Sequence, residues 1–542
     1  MTAISSVPAW NPTSARSSAL AAKQDEAPAS PLVMPSTIVT LTPGGVTASL
    51  QGLQGMADVA PSLTWENKSQ DAVSALIAKN FSSRFLAGRF SGLGAALLEQ
   101  FKGEGKNVSQ SVQLAPQRTQ ADTYGEIDAV SPAALHGVGD NKVSLNITTA
   151  SGAQVTLALD SQDDGLAVKM STSGELSDVE RRALAGLAAA FQDAIDGIAH
   201  NPPQIKLAGL TQFDPAVLAS VDLRAAVKMN TDPESTQTLE FHADGAQRKL
   251  SFSNASGAAA VSVDMSKLAG VGNARQQAKA VANYVNQFDQ AASRGHGDAA
   301  LMSMFKDGFV GMNSNYGAAA QAAGGALQPS KWQLAAEDRA VLTGLADFKA
   351  TLTQTAKSSN PMRPMEQDSF SYQVSQSTSL TGRDKDSRSI AQQQKSALSA
   401  SFHTPSTPGT QLRLDHTQES QYYDYYQIDD SANSDVRLAY AEGRLSKATI
   451  EQSAKQSSHF MRYALGKLVN DTITPGQQSL QRDLVDALAL YQSGTGKQTR
   501  DEKIYQREQT LSALNEQIFL RPYPDVLSTV EPAGKDRASA AQ

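Results

Sequence analysis

The sequence predicts an α+β protein: antiparallel sheet meanders with helices packed on one side, followed by a helical C-terminal region. Three observations carry that prediction. Runs of period-two alternation occur in two groups, each followed by an amphipathic helical stretch. The best-marked helix starts at Ser177, where Ser177-Asp178-Val179-Glu180 has the form of a capping box. The last third of the chain carries apolar residues at helical spacing, joined by short connections.

Composition bounds what this fold can do. The chain has 542 residues, room for several domains and sizeable cores. Hydrophobic residues make up 40% and charged residues 19%, which suits a folded protein with polar stretches of low charge. A formal net charge of −7 argues against nucleic acid or an acidic membrane as the main partner. There is no cysteine, which excludes disulfides, thiol nucleophiles and cysteine metal sites. No apolar run reaches the roughly 18 residues that a membrane span needs, so no membrane insertion is expected. The first residues lack the basic and apolar regions of a secretory signal. The expected location is the cytoplasm, or outside the cell by export without a cleaved signal peptide.

Residues 1–35 are rich in Ser, Ala and Pro and are expected to be disordered. An α+β domain over 36–310 then opens with Ser36 to Leu41 as a strand and Val46 to Leu50 as its hairpin partner. Helices follow over Gln70 to Leu86, through Val73, Ile77 and Phe81, and over Ser91 to Phe101, through Leu93, Leu97 and Leu98. Val108 to Leu114 alternates as a strand. Val143 to Ile147, Val155 to Leu159 and Leu166 to Met170 form a meander with turns at Gly152 and Asp163-Asp164-Gly165. The Ser177 helix follows, with Leu184, Leu187, Phe191, Ile195 and Ile198 on one face, and Asn201-Pro202-Pro203 stops it. Strands over Val221 to Met229, Thr238 to Ala243, Lys249 to Ser253 and Ala260 to Asp264 repeat the scheme, before a helix through Ala278, Val281, Val285 and Phe288.

An Ala/Gly-rich linker is expected over 311–330. Residues 331–445 are read as a helix from Glu337 to Leu352, through Val341, Leu345 and Phe348, and then long polar strands over Ser369 to Leu380, Ser389 to Phe402 and Gln411 to Ile428. Residues 446–525 are read as a helical bundle. Its first helix uses Ile450, Ala454, Ser457, Met461, Ala464 and Leu468. Its second starts at Thr474-Pro475 and its third at the capping box Thr499-Arg500-Asp501-Glu502. Residues 526–542 are read as a mobile tail.

Each catalytic motif fails at a required residue. Gly92-Leu93-Gly94 lacks the third small residue of a dinucleotide loop, because Leu97 stands there, so close helix packing is the better reading. Gly494-Thr495-Gly496-Lys497 has Tyr491 and Gln498 where a phosphate loop needs Gly and Ser or Thr. Asp160 to Gly165 resembles a calcium loop but ends its twelve positions at Ser171 rather than Glu, so a hairpin turn is favoured. Ser303 and Lys306 have nucleophile spacing without the partner motifs. The histidines are too dispersed for a local metal site. No cofactor is expected. The aromatic cluster Tyr422-Tyr423-Asp424-Tyr425-Tyr426 is the candidate binding surface. In a strand, Tyr423 and Tyr425 share one face and Tyr422 and Tyr426 the other, positioned either to hold a protein or carbohydrate or to pack across strands.

From Leu176 to Leu210 the chain carries Ser-Asp-x-Glu, Leu-Ala-Gly-Leu, Phe-Gln-Asp-Ala-Ile-Asp-Gly and Pro-Pro. Together with Ser36 to Leu41 and Leu86 to Gln100, this resembles a group of uncharacterised proteobacterial proteins with no established activity. Some chains of that kind bear the label lactate dehydrogenase. That label implies NAD-dependent hydride transfer, which the incomplete nucleotide fingerprint here does not support. The sequence therefore favours a non-enzymatic binding or structural protein. An exported, surface- or flagellum-associated protein is the second expectation, and an enzyme the third.

Overall fold

In the computed structural model, strands set the architecture from end to end. Residues 63–528 are described, apart from 68–69, 104, 106, 116–130, 230–231, 317–333 and 490–499. They build one antiparallel sheet of fifteen strands. These are β1 (Leu63–Trp65), β2 (Val108–Leu114), β3 (Asn141–Thr149), β4 (Gln154–Gln162), β5 (Gly165–Ser173), β6 (Leu218–Met229), β7 (Asp232–Asp244), β8 (Gln247–Asn254), β9 (Gly257–Asp264), β10 (Phe348–Gln354), β11 (Ser369–Thr381), β12 (Ser389–Pro405), β13 (Tyr423–Ala441), β14 (Arg444–Ala464) and β15 (Lys467–Asp483). Their order is β1-β2-β5-β4-β3-β6, and from β6 to β15 every strand pairs with the next in the chain.

The helices are α1 (Ala72–Asn80), α2 (Leu86–Arg89), α3 (Leu93–Glu99), α4 (Asp178–Gly186), α5 (Ala188–Ala199), α6 (Ala274–Gly295), α7 (Ala299–Met312), α8 (Ala336–Ala340), α9 (Val485–Ala489), α10 (Arg500–Gln517) and α11 (Pro524–Ser528). The Ser177 capping box is present: Glu180 N donates to Ser177 Oγ at 3.3 Å, and Ser177 N donates to Glu180 Oε2 at 2.8 Å. The helix it starts breaks at Leu187 and resumes as α5, which keeps Phe191, Ile195 and Ile198 buried. Gly94 allows α3 to approach α5: a Cβ there would sit 2.5 Å from Ile195 Cδ1. The close-packing reading of the Gly92-Leu93-Gly94 stretch thus has a physical basis. From β8 to β12 the residues facing the helices are buried, while their neighbours along each strand face outward. One apolar core runs under the helices from Val73 to Phe519.

The expected helical C-terminal region is overturned. Ile450, Ala454, Ser457, Met461 and Ala464 lie in β14, and Thr474-Pro475 lies inside β15. A step of four is even, so apolar residues at 450 and 454 satisfy a strand as well as a helix. The inward position between them is Gln452, which is buried and polar and so hides the alternation. Its amide donates to Gln517 O at 3.0 Å and Phe519 O at 2.8 Å. The same ambiguity misplaces the helix expected from Glu337 to Leu352. The α8 segment stops at Ala340, while Phe348 and Leu352, again four apart, point inward from β10. Long strands over Ser369 to Leu380 and Ser389 to Phe402 are present as β11 and β12, whereas the strand expected over Gln411 to Ile428 starts only at Tyr423. The readings over 1–35, Ser36 to Leu41, Val46 to Leu50, Gly494 to Lys497 and most of the 311–330 and 526–542 segments lie outside the described residues.

Candidate functional site

Folding brings together polar groups that are far apart in sequence, at three places on the sheet. The first resembles a catalytic arrangement. Ser109 on β2 lies 3.2 Å from His136 Nε2, and Glu66 Oε2 lies 2.8 Å from the same nitrogen. Ser109 Oγ also donates to Glu66 Oε1 at 2.9 Å. A serine–histidine–acid relay needs the serine and the acid on opposite ring nitrogens. Here one nitrogen meets both, and His136 Nδ1 is buried with no hydrogen-bond partner among the described residues. Burial opposes charge on Glu66, but hydrogen bonds from His136, Ser109 and Ser111 outweigh it and hold the carboxyl below its ordinary pKa. The group ties the end of β1 to β2 and to the turn at Pro132–Leu135.

The second place contains the tyrosine cluster. Tyr423 and Tyr425 are 0% and 3% exposed, so both are packed in rather than offered to a partner. Between their rings sits His403, with ring centroids 5.1 and 4.6 Å away. His403 Nδ1 is 2.6 Å from Asp368 Oδ1, and its Nε2 is 3.3 Å from Glu366 Oε2. Tyr423 OH donates to Glu366 Oε2 at 2.7 Å, and the Arg363 guanidinium stacks 4.2 Å from the Tyr463 ring centre. Burial works against a charged His403, but its two carboxylate partners outweigh burial and raise its pKa. Asp368 and Glu366 also feel burial first, and their hydrogen bonds to His403 bring both below their ordinary values. An imidazole engaged by carboxylates at both nitrogens has no lone pair free for base catalysis. It is a buried clamp. Tyr422 remains 48% exposed, and Tyr426 stacks between Phe402 and Phe460 on the opposite side of β13.

The third place is the sheet face turned away from the helices. Register aligns Lys249 with Ser262, Ser262 with Lys349, Lys349 with Ser375, Ser375 with Lys395, and Lys395 with Asn433. Lysines therefore stand in one row on β8, β10 and β12, with hydroxyl side chains on β9 and β11 between them. Neighbouring strands are about 4.8 Å apart, so successive lysines of the row are separated by roughly 10 Å at their backbones. Lys455 on β14, opposite Ser431, continues the series two residues along the strand. A groove of about 740 Å³ crosses β10 to β15, lined by Lys349, Gln373, Ser375, Lys395, Asn433 and Lys455. A second groove of about 450 Å³ meets it at Lys349 and reaches Lys249, His242, Glu240, Arg224 and Asp222. Among the described residues, lysine ion pairs involve Lys102, Lys228, Lys267, Lys279 and Lys306, and none of the four groove lysines.

At the far end of the row the balance of charge changes. His242, opposite Lys249, lies 2.7 Å from Asp222 and 3.1 Å from Asp244. Burial resists its charge, but both carboxylates raise its pKa. The lining of the larger groove thus has three lysines and no carboxylate, while the smaller groove is mixed, with Asp222 on β6 and Glu240 on β7. No local pattern announces the lysine row, because its members come from separate strands and only register aligns them. The stretch from Asp160 to Gly165 is the closed end of a hairpin, with Asp163-Asp164 as the turn between β4 and β5, as its sequence favours. No group of three His, Cys, Asp or Glu residues suited to a metal is present among the described residues. Nor is any described helix long and apolar enough to cross a membrane. Comparison with protein-family models, with curated proteins and with solved structures finds no match to this chain.

Proposed function

We propose that the protein is a binding module whose open sheet face holds an extended, acidic, hydroxyl-rich polymer, of the class of acidic polysaccharides. The observation that carries this reading is the row Lys249, Lys349, Lys395 and Lys455, set along continuous grooves and forming no ion pair among the described residues. Cations about 10 Å apart on a low-relief surface repel one another at low salt, and a polyanion relieves that repulsion. Beside the lysines lie Gln373, Ser375, Asn433 and, beyond Lys455, Gln477, which donate and accept hydrogen bonds as sugar hydroxyls do. The larger groove offers no aromatic platform for stacking nucleobases.

Isothermal titration of the full chain with polygalacturonate tests the reading, with neutral dextran, poly-glutamate and single-stranded RNA as comparators. Binding to polygalacturonate is expected, weakening as salt rises. The Lys349→Gln/Lys395→Gln/Lys455→Gln variant should lose at least about tenfold in affinity while keeping its circular dichroism. Equal binding of dextran, preference for RNA or poly-glutamate, or undiminished binding by the triple variant overturns the reading.

A further inference from the structure

The lysine row carries an order of charge as well as an amount. From β8 to β13 one line of cross-strand partners crosses the outward face as Lys249, Ser262, Lys349, Ser375, Lys395 and Asn433. The three lysines are exposed, and the two serines and the asparagine are half-buried. Charge therefore recurs on every second strand. Adjacent strands lie about 4.8 Å apart, close to the advance per ring of an extended, equatorially linked sugar chain. On β14 the line continues through Ser453, and the lysine stands two residues along, at Lys455. The neighbouring line on the same face, two residues along each strand, follows the same alternation. Gln247 stands beside Lys249 and Gln393 beside Lys395, whereas Asp264 stands beside Ser262, Asp435 beside Asn433 and Glu451 beside Ser453. Asp347, beside Lys349, is the exception, and it is half-buried and bonded to Thr378. Asp264 pairs with Lys267 and Asp435 with Arg437, not with lysines of the row.

Resting on the reading of this face as an acidic-polysaccharide site, we propose that the polymer it takes is an alternating one, with one acidic and one neutral sugar per repeat. Its acidic units lie at Lys249, Lys349 and Lys395, and its neutral units at Ser262, Ser375 and Asn433. A carboxylate on every sugar would set alternate ones at positions that hold no cation, two of which adjoin Asp264 or Asp435. Like charges brought together oppose binding and select against such a ligand. A neutral sugar at the same positions meets hydroxyl and amide groups that bond its own hydroxyls.

Isothermal titration of the full chain with two oligosaccharides of equal sugar number tests the proposal. One alternates β-linked glucuronate and N-acetylglucosamine, and the other is β-linked polyglucuronate. The second has twice the charge, so attraction by net charge alone favours it, most of all at low salt. The alternating chain is instead expected to bind at least about fivefold more tightly. Ser262→Lys with Ser375→Lys places cations at neutral positions and should reverse that preference while circular dichroism stays unchanged. Equal affinity of the native chain for the two, or preference for polyglucuronate, overturns the alternation. If the Lys349→Gln/Lys395→Gln/Lys455→Gln variant still loses polygalacturonate in that case, the broader reading of the face stands without it. A folded double-lysine variant that keeps the native preference also overturns the alternation, and should that variant not fold, the native comparison decides alone. A chain that binds no acidic polysaccharide overturns both.

Discussion

Two buried charge groups show how single residues set the stability of this protein. His403 has a raised pKa, so its contribution is complete below the unfolded histidine value and is lost as pH climbs through the folded value. Asp368 and Glu366 have lowered values, so theirs is present above the unfolded carboxylate range and is lost as pH falls through the folded values. The clamp is therefore strongest in the window between, from about pH 4.5 to about 6.5 on reference pKa values. The stability gap between the native chain and His403→Gln, measured by urea unfolding, should be widest in that window and shrink above it. A gap that stays constant into alkaline solution would show that His403 acts in its neutral form. The second group is Asp338, which is 0% exposed and takes both Arg388 Nε at 3.0 Å and Tyr440 OH at 2.7 Å. Asp338→Ala removes the carboxylate that balances the buried Arg388 guanidinium and should cost about 3–5 kcal/mol in the same measurement. A loss below about 1 kcal/mol would show that acceptors other than Asp338, such as Lys385 O at 2.6 Å, suffice for Arg388.

At the scale of elements, the glutamines pointing inward from β11, β12 and β14 join the sheet to what covers it. Gln394 receives Tyr284 OH at 3.0 Å and donates to Ile518 O at 2.9 Å. Gln376 receives the Thr343 hydroxyl at 2.7 Å, and Gln392 receives the Thr343 amide at 2.8 Å. Replacing Gln394 by Leu keeps the bulk but leaves Ile518 O without that donor. The expected loss is about 1–3 kcal/mol, and α10 with the segment after it should become more susceptible to protease. Unchanged protease resistance would mean that apolar packing alone seats that segment. These glutamines also explain which elements were legible in the sequence. Strands β3 to β5 bury aliphatic residues or methionine at alternate positions, such as Val143, Leu145 and Ile147, so their period is visible. In β12 and β14 the inward positions include Gln392, Gln394, Ser396 and Gln452, whose polarity is satisfied only by distant partners. A composition of Ser, Gln and Ala with apolar residues four apart then fits a helix as well as a strand. Of the tyrosine cluster, the sequence showed which residues share a face but not that His403, Asp368 and Glu366 close over Tyr423 and Tyr425.

At the scale of the whole molecule, the question is whether so long a sheet unfolds in one step. The sequence suggests separate bodies over 36–310, 331–445 and 446–525, as chain length alone would favour. The sheet has no break at those boundaries. The boundary at 445/446 falls inside β14, and β9 pairs with β10 across the segment that contains α6, α7 and the undescribed residues 317–333. A single core reaches from α1 to Phe519. Residues that share one core and one hydrogen-bonded ladder open together, while the ends of a ladder fray at lower cost. Amide hydrogen exchange in the native chain should thus show β3 to β13 protected to a similar degree, with β1 and the Lys467–Thr474 stretch of β15 exchanging faster. Asp338→Ala supplies the decisive comparison, because Asp338 accepts from Ala335 N at the start of its own helix, from Arg388 beside β12 and from Tyr440 on β13, all far along the sheet from β4. If the sheet is one cooperative unit, that substitution lowers protection in β3 to β5 by the same free energy as in β11 to β13. If protection in β3 to β5 stays at its native level while β11 to β13 weaken, the sheet contains two units that fold separately, and the junction between β9 and β10 is where they divide.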